Sequence, residues 1–120
     1  LCEDVIKDLS SALEFLNEEG SIVMHDCNPP DVYYQERSQS PHAPGWTGDV
    51  WKAFVQFRAT RVDLEMCVVD TDYGCGIVRK GTQQILDIDI EKDLTYENLD
   101  AKRAEWLSLI SPAEFIERHG

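Results

Sequence analysis

The run Ser21-Ile22-Val23-Met24-His25-Asp26-Cys27-Asn28-Pro29-Pro30 constrains the fold more than any other segment. Its apolar, β-rich opening suits a short buried parallel strand. The strand must stop at the acid, because two prolines remove two backbone donors and forbid continuation of strand or helix. Just upstream, Val5, Ile6, Leu9, Leu13 and Leu16 recur at three- and four-residue spacing, with Lys7, Asp8, Ser11 and Glu18 on the other face. That pattern predicts an amphipathic helix over 1–19, stopped by Gly20. A helix leading straight into a strand over 21–26, with an acid at its end, points to an α/β fold.

Residues 27–48 show no period and are rich in Pro, Ser, Gln and Gly. A connection this long inside a compact domain is functional or disordered. Tyr33, Tyr34, His42 and Trp46 favour a lid or binding loop. A helix over 49–60 follows, capped by Thr47 or Asp49 and paced by Val50, Trp51, Phe54, Val55 and Arg58. Residues 62–69 and 75–80 read as an antiparallel strand pair across the turn Thr71-Asp72-Tyr73-Gly74. Leu86, Ile88 and Ile90 alternate with acids, which suits an edge strand or an extended segment. Thr95 opens a helix holding Leu99, Arg103, Trp106, Leu107 and Ile110, and Ser111-Pro112-Ala113-Glu114 is a capping box. The expected organisation is one domain over 1–120, with an acidic, mainly helical tail over 82–120.

Charge narrows the partners. Lys and Arg total 11 against 23 Asp and Glu, a net charge of −12 that disfavours a nucleic-acid binder. The acids crowd into 1–20 and 86–120, as solvated helix faces do, while 21–61 is balanced. No apolar run approaches the roughly 18–20 residues of a membrane span. Cys2, Cys27, Cys67 and Cys75 form no CxxC pair, which argues against a zinc ribbon. With no secretory signal they read as free thiols in a reducing, cytoplasmic compartment. The chain opens inside a helix and without Met, which suggests a piece of a longer polypeptide.

Several blocks carry a family likeness. Residues 3–8, then Leu13, then Asn17-Glu18-Glu19-Gly20-Ser21-Ile22-Val23-Met24-His25-Asp26 form the first. Trp46-Thr47-Gly48-Asp49-Val50-Trp51-Lys52-Ala53 and Val69-Asp70-Thr71-Asp72-Tyr73-Gly74-Cys75-Gly76 form the others. Together, over about residues 1–81, the chain resembles the C-terminal half of a class I S-adenosylmethionine-dependent methyltransferase, of one bacterial subgroup. The resemblance implies a partial Rossmann-like sheet of about three strands, ordered 21–26, 75–80, 62–69, the middle one antiparallel and the last at the edge. It also implies about four further strands upstream. The family's glycine-rich cofactor loop is missing from these 120 residues, and so is the acid that holds the ribose. Gly74-Cys75-Gly76 lies between the wrong elements and reads better as a turn with close backbone approach. This chain is therefore not expected to bind S-adenosylmethionine well by itself.

What it would supply is the methyl-acceptor side, for a small-molecule substrate. His25 is the candidate general base toward a substrate hydroxyl, the alternative being a partly buried structural histidine. Tyr33, Tyr34 and Trp46 are candidate substrate contacts in the loop. In metal-dependent O-methyltransferases an acid at this strand end and a nearby Asn help bind a divalent cation. Asp26 and Asn28 are similar and would suit Mg²⁺, the alternative being an acid that caps nearby amides. A rival reading is a degenerate non-catalytic association module, dimeric or paired with a complementing subunit through an exposed sheet edge.

Overall fold

A computed structural model describes residues 2–32, 34 and 49–119. Among them lie four helices and a mixed, open four-stranded sheet, an α/β arrangement. Helix α1 spans Cys2–Phe15 and turns its apolar stripe inward, burying Leu9 with Val5, Ile6 and Leu13 packed beside it. Strand β1 spans Ser21–Met24. Helix α2 spans Val50–Thr60 and buries Trp51, Ala53, Phe54, Val55 and Phe57. Strands β2 (Leu64–Val69) and β3 (Cys75–Lys80) form the antiparallel hairpin. Helix α3 spans Tyr96–Trp106, strand β4 Leu109–Ile110, and helix α4 Pro112–His119.

The strand order is β1-β3-β2-β4. β3 runs antiparallel to both neighbours, with Met24 opposite Gly76 on one side and Val68 opposite Gly76 on the other. The expected order and sense of the first three strands are thus present. The expected edge position of the 62–69 strand is not: β4 pairs with β2 in parallel, Val68 beside Leu109 and Val69 beside Ile110. Ile110 belongs to that strand rather than to the helix before it. Lys102 has non-helical angles inside α3 and Ser108 a φ of 47°, so the chain kinks and then turns back to the sheet. Residues 82–89 form no strand, although Leu86 is buried and donates its N–H to the Arg58 carbonyl at 3.1 Å.

The main core lies on one sheet face, where α1, α2 and α3 bring Leu9, Phe54, Leu99 and Leu107 against Met24, Met66 and Val78. Alternation along the strands sends Cys67, Val69 and Ile77 to the other face, where Ile110 and Phe115 join them. All four cysteines are free, Cys27 and Cys67 buried.

Local signals explain the helix starts. Thr95 accepts the Asn98 N–H on its hydroxyl at 3.2 Å, and Ser111 accepts that of Glu114 at 3.1 Å. Asp49 takes the N-cap position of α2 without bonding the helix through its side chain. It is buried, and its carboxylate instead accepts the Cys2 N–H at 2.9 Å, tying the start of α1 to the start of α2. No helix of the described residues is long and apolar enough to cross a membrane.

Candidate functional site

The site is built where β1 ends. His25 and Asp26 lie beyond the last hydrogen-bonded strand residue, and Asp26 takes a φ of 64°, which turns the chain sharply off the sheet. The next residues are then stitched to the β2–β3 turn. Cys27 N donates to the Gly74 carbonyl at 3.0 Å and Asn28 N to that of Tyr73 at 2.7 Å. The turn comes close because Gly74 has φ 90° and no side chain. A Cβ there would stand 2.5 Å from Asn28 Cβ. A Cβ on Gly76 would stand 2.9 Å from Cys27 Sγ. The Gly-x-Gly pair is therefore a backing for this segment, as close backbone approach requires. Gly74→Ala is expected to lower stability by about 2–3 kcal/mol and to displace the 26–30 segment. A denaturant titration with unchanged midpoint would contradict that close fit.

His25 is exposed, so the partly buried alternative does not describe it. It lines an open, mainly apolar groove of about 310 Å³ between α1 and the outer edge of β1, shared with Val5, Leu9, Ala12, Ile22 and Val50. Its imidazole is reachable from solvent through that groove. Asp26 is half-buried, and its carboxyl is pushed above the ordinary carboxylate value by burial. The charge of Asp72 adds to that rise, and His25 opposes it. A raised carboxyl means that the folded state binds more protons than the unfolded one just above the ordinary value, so stability falls as pH rises through that window. The Tm advantage of Asp26→Asn should therefore grow from acid to neutral pH. A difference that stays constant with pH would refute the shift.

Cys27 is fully buried, and burial pushes its thiol up to about 12, so it remains an uncharged packing group. Tyr34 packs its ring against Tyr73 of the same turn, with centroids 5.5 Å apart. Tyr33 and Trp46 lie outside the described residues.

The metal reading meets a different arrangement. Asn28 Oδ1 accepts from Arg103 Nη1, and Asn28 Nδ2 donates to Asp70 Oδ1 at 3.3 Å. Both ends of the amide are engaged, and the oxygen a cation would need faces a guanidinium. Among the described residues no three His, Cys, Asp or Glu side chains are grouped to hold a metal ion. Asp26 and Asn28 as arranged here do not fit Mg²⁺. The space over Gly74 and Gly76 is filled from behind by Asn28 and Cys27.

Arg103 is the residue that sequence reasoning missed. Helical spacing marks it only as one position of α3, and nothing local connects it with Asn28, 75 positions earlier. Compared with protein-family models, curated proteins and solved structures, the chain matches none of them.

Proposed function

We propose that residues 1–81 are the methyl-acceptor half of a Rossmann-like, class I methyltransferase domain. The observation that carries this reading is the strand order β1-β3-β2 with an antiparallel middle strand, together with His25 and Asp26 at the end of β1. Open α/β sheets bind ligands outside the carboxyl ends of their parallel strands. β1 and β2 run parallel to one another, each paired with β3, and His25, Asp26 and Asp70 follow their carboxyl ends. The role of this half is to orient the acceptor and to take its proton. His25 would draw the proton from a substrate hydroxyl as that oxygen attacks the methyl group, and positioning would supply much of the rest.

In a longer polypeptide that joins this segment to a cofactor-binding half, His25→Ala should lower kcat for methyl transfer by roughly 10²–10⁴-fold. Affinity for S-adenosylmethionine should change little, because the cofactor is held elsewhere. Unchanged turnover in that variant would remove His25 from the mechanism.

A second reading rests on one other feature. The outer edge of β1 has no strand partner among the described residues, carries no charge or proline, and leaves Val23 52% exposed. Such an edge is a template for strand addition. An association module without catalysis would use it to dimerise, and light scattering on the chain would then give twice its 13.7 kDa mass. A monomer mass would set this reading aside.

A further inference from the structure

The segment Asp26-Cys27-Asn28-Pro29-Pro30 poses a specific problem of backbone satisfaction. Two of its five residues have no N–H, and the N–H groups of Cys27 and Asn28 are already spent on the β2–β3 turn. Pro29 is buried, so its carbonyl needs a donor from elsewhere in the protein, whereas Pro30 is exposed. Helix α3 brings donors to both. Arg103 Nη1 donates to the Pro29 carbonyl at 2.7 Å as well as to Asn28 Oδ1. Tyr96 Oη donates to the Pro30 carbonyl at 3.2 Å. Arg103 Nη2 in turn donates to Tyr96 Oη at 3.0 Å and to Asp100 Oδ1 at 3.2 Å. The guanidinium also sits 5.7 Å from the centroid of the Tyr96 ring. The Arg103 side chain itself is 19% exposed, while Asp100 and Pro30 at the rim of the network face solvent.

We propose that Arg103 is a positioning residue of the acceptor site, taking at Asn28 the place a divalent cation would otherwise hold. The proposal deepens the functional reading above and rests on it for the word acceptor. A planar guanidinium meets several oxygens at fixed angles, as a metal does, but carries its geometry with the helix that bears it. The consequence is that α3 is part of the site. The acidic tail thereby sets the exit path of the chain after His25 and Asp26.

The test is NMR of the chain labelled with ¹⁵N, following the Asn28 side-chain amide pair. In Arg103→Met that pair should shift and its exchange with water should quicken, while the β2–β3 amides keep their positions. Millimolar methylguanidinium should restore the original signal. Arg103→Lys keeps the charge without the fork and should shift the pair only part of the way. Arg118→Met, which breaks a surface pair with Glu114, is the control and should leave Asn28 unchanged. Submillimolar Mn²⁺ should not broaden the wild-type Asn28 signal selectively. An Asn28 pair unmoved in Arg103→Met and Arg103→Lys, or selectively broadened by Mn²⁺ in the wild type, overturns the proposal.

In a longer polypeptide that joins this segment to a cofactor-binding half, Arg103→Met should lower kcat by roughly tenfold to a hundredfold with cofactor affinity retained. Equal loss of both would reduce Arg103 to a structural role. No methyl transfer in the wild type would instead defeat the functional reading, and the NMR result would still decide whether Arg103 sets Asn28.

Discussion

Trp51→Ala is expected to lower the stability of the fold by about 3–5 kcal/mol, the range for truncating a large buried aromatic. Trp51 is 0% exposed and faces Trp106 with ring centroids 6.5 Å apart and planes 25° from parallel. It thereby joins the first turn of α2 to the last turn of α3, and both helices cover the same sheet face. The void left by an indole closes only in part, because the surrounding close-packed core relaxes incompletely. Against a typical domain stability of about 5–15 kcal/mol, the variant should be marginal. Urea unfolding followed by circular dichroism reads this without relying on tryptophan fluorescence, which the substitution itself alters. A loss below about 1 kcal/mol would mean that the two helices do not share a core.

Arg58→Met should cost nearly as much, about 2–4 kcal/mol, although it retains most of the aliphatic stem. Arg58 is buried on the inner side of α2, where burial lowers its pKa from the ordinary arginine value. Its Nη2 donates to the Glu105 carbonyl at 2.8 Å, and its Nε to that of Trp106 at 3.3 Å. Both carbonyls belong to the last turn of α3, where helical partners run out and a positive charge is favoured by the dipole. Its Nη1 donates to Gln83 Oε1 at 3.2 Å. Gln83 Nε2 then donates to the Arg61 carbonyl at 2.7 Å, so the extended 82–89 segment is fixed through the same residue. The expected signature is a lower denaturation midpoint with faster amide exchange in 82–88 and at the end of α3. Exchange that rises equally everywhere would show that Arg58 is not holding those two segments.

Much of the architecture follows from local physics that the sequence exposes. The stripe at Val5, Ile6, Leu9 and Leu13, the turn at Thr71–Gly74 and the caps at Thr95 and Ser111 each determine an element by themselves. The α/β class, the hairpin and the burial of Trp51 and Phe54 were legible for that reason. Strand β4 was not, because two residues show no period and their conformation depends on the kink at Lys102 and the positive φ of Ser108. Asp49 looked like a helix cap and is one by position, yet its carboxylate reaches α1 through a contact 47 residues away in sequence. Long sequence separation likewise hides Arg58, 47 and 48 residues from the carbonyls it meets, and Arg103, 75 residues from Asn28. Helical spacing identifies the face they occupy, but only the tertiary fold shows which carbonyls they meet. At the site, the exit of the chain after Asp26 could be read from the prolines, whereas the engagement of Asn28 by Arg103 and Asp70 could not.

If residues 1–81 are the acceptor half of a methyl-transferring domain, as proposed, S-adenosylmethionine is held by residues outside 1–120. Isothermal calorimetry with S-adenosylmethionine, on residues 1–120 alone and on a polypeptide that joins them to a cofactor-binding half, reads this. A saturable heat is expected from the longer polypeptide and none from residues 1–120. No heat from the longer polypeptide, or full-strength binding by residues 1–120, would refute the reading.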